Sequence, residues 1–491
     1  MHVAFIVAEM SPLVKVGGLA DVAGALPAAL AAEGARVSIL LPAYRSIDVE
    51  KHGIRQRAAG LSVPMGPESR GFSVLEAADT PPGVRLYLIE QETYFGRDGV
   101  YVDPRTKEEY PDTAERFTFF TRAALEALRA LGDRVDVVHC HDHQTALAPA
   151  HLKIHYRDDP VLGAAASVYT LHNLGYQGIH PPEILDLAGF GRGQCYPGSY
   201  FEYYGKVNFM KVGICFADKV STVSEKYARE ICRDEVQSAG LAPVIQTRAQ
   251  DLVGIINGID EEEWNPAKDP HLPRGFDAED LGGKRECKSA LLKVAGLDPA
   301  GLDRPLLGMV SRLVEQKGLD LVEEAFPEIL ERGVYFVVLG TGIPRYEKFF
   351  RDAAAENPGK VAALIKFDNS LAHLAEAGLD LFLMPSLYEP CGLNQCYSRR
   401  NGTVPVGRAT GGLADTVSDA DSGAEGVGFT FREYRARDLL EALDRALEAY
   451  RDPRRWRAIQ RRGMARDSSW TASARKYLSL YRQAVESRTA G

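Results

Sequence analysis

No apolar run in this sequence reaches the roughly 20 residues that a bilayer core demands; the longest near the N-terminus is Val22 to Ala32. No secretory leader is expected, because Met1 and His2 carry no basic run and Glu9 breaks the first apolar segment. The expected location is the cytoplasm. Cysteine is sparse: Cys140, Cys195, Cys215, Cys232, Cys287, Cys391 and Cys396 are odd in number, scattered, and include no C-x-x-C pair. That argues against a disulfide framework or a zinc ribbon and for small buried hydrophobes in a reducing compartment. Positive charge is not in excess, since 58 Lys and Arg against 67 Asp and Glu leave a net charge of −9. Non-specific attraction to nucleic acid or to an anionic membrane is therefore opposed, while a local cationic pocket for a small anion remains allowed. Nucleotide fingerprints are absent too: Gly340-Thr341-Gly342 is followed by Arg345 where a third glycine belongs, and Gly283-Lys284 is followed by Arg285 rather than Ser or Thr. No kinase or nucleophile-elbow pattern occurs.

What is present is the composition of an ordinary globular protein, with 45% of the 491 residues hydrophobic and 25% charged. Single cores stop growing near roughly 250 to 300 residues, so at least two domains with a crevice between them are expected. Short β-branched runs recur between helix-like stretches in the first half: His2 to Ala8, Arg36 to Leu41, Val84 to Ile89, Val135 to Cys140, Ser167 to Leu171 and Leu252 to Ile256. The second half repeats the pattern at Leu306 to Val310, Tyr335 to Leu339, Ala363 to Phe367, Leu381 to Met384 and Val404 to Val406. Runs apolar on both faces predict buried parallel strands, and their alternation with helices predicts two doubly wound, Rossmann-like α/β domains. The join falls in Asn257 to Asp303, where Trp264-Asn265-Pro266 and a polar Gly- and Pro-containing stretch interrupt the periodicity. The expected units are residues 1–256, residues 257–470, and a terminal helix over 471–491 docking back toward the first. In that helix Ala474, Tyr477, Leu478, Tyr481 and Val485 share one face.

One short sequence occurs twice. Gly17-Gly18-Leu19-Ala20-Asp21 returns as Gly411-Gly412-Leu413-Ala414-Asp415, each copy following a strand and opening a helix-like stretch. Glycines there let a ligand approach the backbone, and free N–H groups with the helix dipole favour an anion; tight turns are the alternative. Lys15 adds an ammonium beside the first copy, while Arg312 and Lys317 flank the turn after Leu306 to Val310, with Gly318 opening the next helix. Two cations near a strand's carboxyl end suit a diphosphate leaving group, although solvated surface charges read the same way. Glu389 follows the strand Leu381 to Met384, where a carboxylate grips ribose or sugar hydroxyls or else partners a helix N-terminus. In the first half, Thr170-Leu171-His172-Asn173 and Val138-His139-Cys140-His141-Asp142-His143 each end a strand, and Asp142 is the carboxylate expected to reach a sugar. The histidine series could ligate a metal but lacks a fourth ligand, so packing and hydrogen bonding are the expected roles. Tyr94, Phe95, Tyr101, Tyr200, Phe201, Tyr203 and Tyr204 offer faces for pyranose C–H groups, or core packing.

Further markers complete a pattern: Leu171-His172-Asn173-Leu174, Asn257-Gly258-Ile259-Asp260, Ser311-Arg312-Leu313, Gln316-Lys317-Gly318, Glu389-Pro390-Cys391-Gly392-Leu393 and Thr410-Gly411-Gly412. In order and at this spacing, together with Lys15-Val16-Gly17-Gly18, the sequence resembles the bacterial glycogen synthases and plant starch synthases over almost its whole length. The resemblance implies a retaining glycosyltransferase of the GT-B type, two Rossmann-like domains facing across a cleft. It implies transfer of glucose from ADP-glucose to the non-reducing end of an α-1,4-glucan, glycogen or maltooligosaccharide, with no metal or other cofactor and no nucleic-acid or membrane partner. By position, Lys15, Gly18, Arg312 and Lys317 then hold the ADP diphosphate, with Gly17 and Asn173 on the donor side. Asp21 and Glu389 contact donor hydroxyls, His172 and Asp142 line the transferred glucose, and Phe367 stacks on the adenine. Cys391, Gly392, Leu393, Thr410, Gly411 and Gly412 surround phosphates and glucose, and Tyr94 stands near the sugar. Four positions depart from the family pattern: Val16 and Asn394 where Thr is frequent, His143 where Trp is usual, and Gly407 where an apolar residue is expected. A related enzyme using another nucleotide sugar or a small acceptor, or building maltose 1-phosphate, would share the phosphate site. A glucan-binding protein with a decayed site is disfavoured, because Lys15, His172, Arg312, Lys317 and Glu389 are all present.

Overall fold

The computed structural model describes residues 1–490 and the side chains of residues 1–489. The chain divides into two compact units: residues 1–258 together with the segment from Trp470 onward, and Ile259–Ser469. It thus passes from one to the other after Gly258 and again after Ser469.

The first unit is built on β1 (His2–Ile6), β2 (Arg36–Pro42), β3 (Ile54–Met65), β4 (Glu68–Ala77), β5 (Val84–Glu90), β6 (Val137–His141) and β7 (Ala166–Leu171). Three short strands, β8 (Ile179–His180), β9 (Glu202–Tyr203) and β10 (Lys206–Asn208), form a separate small sheet, and β11 (Lys219–Thr222) and β12 (Leu252–Gly254) return to the large one. The large sheet runs β12-β11-β7-β6-β1-β2-β5-β4-β3. Its pairs are parallel except where β4 meets β5 and β3 meets β4. Residues Val3 to Ala8 are wholly buried, as an apolar strand covered on both faces requires. The helix Trp470–Ala490 packs on the helix Gly18–Ala32 and on β7, burying Ala474, Tyr477, Leu478, Tyr481 and Ala484.

The second unit holds β13 (Leu306–Val310), β14 (Tyr335–Leu339), β15 (Val361–Leu364), β16 (Leu381–Met384), β17 (Val404–Arg408) and β18 (Phe429–Phe431). These pair in parallel in the order β15-β14-β13-β16-β17-β18. β15 ends earlier than the sequence pattern suggests, because Asp368 leaves the strand to cap the helix Asn369–Gly378 by accepting the Leu371 amide. Phe367 therefore stands beyond the sheet. Among the parallel strands of each unit the order reverses once, between β1 and β6 and between β13 and β16. Ligands of open α/β sheets bind outside the carboxyl ends of the strands at that reversal. Among the described residues no helix is long and apolar enough to cross a membrane, and all seven cysteines are free thiols.

Candidate active site

In the first unit, residues 7–17 fold around the buried Glu9 carboxylate. Its Oε2 accepts the amides of Val16 (2.6 Å) and Gly17 (2.8 Å), and its Oε1 accepts the Tyr101 hydroxyl (3.1 Å). Amides expected to serve an anionic ligand are therefore occupied by the protein's own carboxylate, and the open N–H groups begin at Gly18, where the helix Gly18–Ala32 starts. Burial raises the Glu9 pKa, opposed by those same amides. The exposed Lys15 ammonium lies 2.6 Å from Asp21 Oδ1 in the first helical turn, so these two candidate residues hold each other.

Beyond β6, Asp142 has a φ of +51°, left-handed backbone that a non-glycine residue seldom adopts and that often marks a functional position. Its Oδ1 accepts the His172 amide at 2.8 Å, which joins the ends of β6 and β7. Burial pushes the Asp142 pKa up to about 7, against the pull of the His172 and Asn173 amides. Near neutral pH the carboxyl then populates both protonation states and can accept from, or donate to, a sugar hydroxyl. Burial lowers the His172 pKa to about 3, so its ring is neutral, with Nε2 3.0 Å from His141 Nδ1. Asn173 uses Oδ1 to accept the Gly175 amide, shaping the loop after β7. His143 has Nδ1 3.0 Å from the Tyr176 carbonyl oxygen and braces that loop. His139 is tied to Thr170 and Tyr481 inside the core. No group of three His, Cys, Asp or Glu among the described residues is placed to hold a metal ion.

Tyr94 is 3% exposed, its hydroxyl donates to Glu115, and its ring packs against Phe95 and Phe119. Tyr101 reaches the Glu9 carboxylate through its hydroxyl.

In the second unit, the chain after β13 turns through the short helix Glu315–Lys317 and reverses at Gly318, whose φ is +69°. A Cβ there would lie 2.1 Å from the Pro385 carbonyl oxygen, so only glycine lets this turn press against the end of β16. The close approach brings Lys317 Nζ to 2.6 Å from Glu389 Oε2, which also accepts the Ser386 hydroxyl at 3.0 Å. Glu389 is only 4% exposed, and its paired charge sits at the reversal point between β13 and β16. An ammonium carries three N–H donors, so Lys317 keeps two for an incoming anion. The helix after Glu389, Asn394–Arg400, has Leu393 at its N-cap and no side-chain cap, so Glu389 does not serve as its cap. Arg312 is exposed and, among the described residues, makes no side-chain hydrogen bond.

Gly411 and Gly412 open the helix Gly411–Thr416, and Cβ atoms on them would stand 2.0 Å from the carbonyl oxygens of Glu389 and Cys391 respectively. The Gly412 amide donates to the Glu389 carbonyl at 3.0 Å. Cys391 and Thr410 are buried, Gly392 is left-handed, and Gln395 Nε2 donates to the carbonyls of Cys391 (3.0 Å) and Gly392 (2.9 Å). Asn394 donates from Nδ2 to the Val310 carbonyl and to Glu376 Oε1, each at 3.1 Å, and so ties this loop to the end of β13. Leu393 packs against the Ile259, Trp264 and Tyr397 cluster. Phe367 is 86% exposed, an open aromatic face. Sequence reasoning gave no site role to Glu9, Ser386, Gln395, Asn394 or Glu376. Only Glu9 carried a signal, as a carboxylate set in an apolar run directly after a strand.

The family model described as "Starch synthase catalytic domain" matches residues 2–247, and the one described as "Glycosyl transferases group 1" matches residues 299–462. The chain is 48% identical to a glycogen synthase of Anaeromyxobacter sp. (strain Fw109-5), covering 98% of this chain and 99% of that one. It is 43% identical to a "Glycogen synthase 2" of Geobacter sulfurreducens, covering 99% and 100%. Among solved structures, the catalytic domain of starch synthase IV from Arabidopsis thaliana, bound to ADP and acarbose, superposes with a TM-score of 0.90 at 34% identity over 99% of each chain. A sucrose-phosphate synthase from Thermosynechococcus elongatus shares the fold, with a TM-score of 0.57 at 18% identity over 98% of each chain. Two doubly wound units matched by these models define a glycosyltransferase of the GT-B class. Within that class, the chain belongs to the bacterial glycogen synthase and plant starch synthase family.

Proposed function

We propose that this chain transfers glucose from ADP-glucose to the non-reducing 4-hydroxyl of an α-1,4-glucan, with retention at the anomeric carbon. The observation that carries the reading is the Lys317–Glu389 pair at the strand-order reversal of the second unit, with the exposed Arg312 following β13 and the glycine-lined backbone of residues 411–412 pressed on the Glu389 loop. Arg312 and Lys317 supply positive charge where the diphosphate oxygens become more negative as the glycosidic bond breaks, the kind of stabilisation that acts mainly in the transition state. The same charges fill the role of a bridging cation, so the reaction needs no metal. Glu389 has a second oxygen free of protein donors among the described residues, which suits a ribose or sugar hydroxyl. Phe367 offers its open face to the adenine. In the first unit, Asp142, His172 and Asn173 line the transferred glucose, and Lys15, Gly17, Gly18 and Asp21 lie on the donor side. Retention follows if the acceptor attacks from the face that the diphosphate leaves, with the departing phosphate taking the acceptor proton. We place the enzyme in the cytoplasm, where its seven free thiols stay reduced. The test is incubation with each labelled sugar nucleotide and maltooligosaccharides, followed by sizing of products. A ladder of longer chains from ADP-glucose supports the reading, and release of free glucose alone refutes it.

A further inference from the structure

Three histidines line the ends of β6 and β7, and one of them has no assigned task. His141 pairs in register with Thr170, which sets its ring beside the start of the His172 loop. Its Nδ1 lies 3.0 Å from His172 Nε2. Its other nitrogen, Nε2, is buried and has no hydrogen-bond partner among the described residues, and its ring packs against His139 and Phe5. His172 Nδ1, by contrast, is engaged by no described protein group, and the residue is only half-buried.

We propose that His141 is a positioning residue that holds His172 in the Nδ1–H tautomer, so that the site residue presents an N–H donor, not a lone pair, toward the donor sugar. Burial keeps both rings neutral. Two neutral imidazoles in contact through Nδ1 and Nε2 share one hydrogen, and the location of that hydrogen fixes both tautomers. If His172 donated from Nε2, His141 would accept at Nδ1 and carry its own hydrogen on Nε2, leaving a buried N–H with no acceptor. Orphaned buried N–H groups are the rarer and costlier defect. If His141 donates from Nδ1, only a bare ring nitrogen is left inside, and the His172 hydrogen moves to Nδ1. That atom can then donate to a glucose oxygen and cannot act as a base. The sugar contact rests on the function proposed above, whereas the tautomer is a property of the free protein.

The experiment is a long-range proton–nitrogen correlation spectrum of the full chain labelled with 15N-histidine, with His172→Gln assigning the signals. Wild type is expected to show His172 protonated at Nδ1 and bare at Nε2; the opposite pattern overturns the proposal. His141→Phe keeps a flat ring against Phe5 and removes the donor. In that variant His172 is expected to lose its single tautomer, and kcat is expected to fall ~10- to 100-fold with nucleotide affinity little changed, the scale of a misplaced contact. A retained Nδ1–H signal with unchanged turnover overturns the proposal. Should His141→Phe not fold, the wild-type spectrum still decides. Failure of the wild type to extend glucan would sink the function and leave the spectrum standing, so the two are separable.

Discussion

At the scale of single residues, the chemistry is a matter of which charges are already answered within the protein. Lys317 is paired with Glu389, and Lys15 with Asp21, while Arg312 is open. Lys317→Ala should lower kcat about 10²- to 10³-fold, the usual loss for one electrostatic stabiliser, and leave the KM for maltooligosaccharide nearly unchanged. Unchanged turnover in a stopped assay would contradict a leaving-group role. Phe367→Ala should raise the KM for the nucleotide sugar several-fold, the worth of about one stacking contact, without altering acceptor affinity. Buried carboxyls make a second kind of prediction. Burial raises the Glu376 pKa to about 8, so its favourable contribution is complete below the ordinary glutamate range and is lost as pH rises through about 8. Chemical denaturation at a series of pH values should therefore find Glu376→Gln gaining on the wild type as pH rises, and a constant gap would refute the buried charge. Residue identity alone could nominate Lys317 or Asp142, because charged groups after apolar strands are conspicuous. It gives no sign of what Tyr94 and Tyr101 touch, since one packs against Phe95 and Phe119 and the other reaches Glu9 only through tertiary folding.

At the scale of elements, parallel strands were readable because burial on both faces leaves a continuous apolar run, as in β13 and β14. The hairpin of β3 and β4 carried no such signal: β3 is mostly exposed, its apolar residues are not a continuous run, and it pairs only with β4 at the sheet edge. Strands of two or three residues, such as β8 and β9, fall below any periodicity. The glycine pairs were readable as sites of close approach, but their partners were not. At Gly17 the amide is taken by Glu9, whereas Gly411 and Gly412 press on the loop of Glu389 and Cys391. Gly412→Ala should therefore destabilise the second unit by about 1–3 kcal/mol, the cost of forcing a methyl into packed backbone, and weaken nucleotide binding as well. Gly18→Ala meets nothing within 4 Å, so its thermal midpoint should stay close to wild type. Equal losses for both variants in a thermal scan would contradict the close-packed loop.

At the scale of the whole molecule, the terminal helix belongs to the first unit although it follows the second in sequence. Its Tyr481 hydroxyl lies 2.9 Å from His139 Nδ1 within the core. Tyr481→Phe should cost about 1–3 kcal/mol, the usual penalty for a buried group left unpaired, read as a lower urea midpoint. The two Rossmann-like units were evident from the repeated alternation of strands and helices, and the family from motifs spread along both. Turnover without metal is the corresponding expectation for the enzyme as a whole: a chelator should leave glucose transfer unchanged, and a strict metal requirement would overturn the role given to Arg312 and Lys317. The most direct measurement is a crystal structure with ADP bound. The diphosphate should lie within hydrogen-bond distance, ~3 Å, of Lys317 Nζ and the Arg312 guanidinium. ADP seated away from both cations would contradict the account.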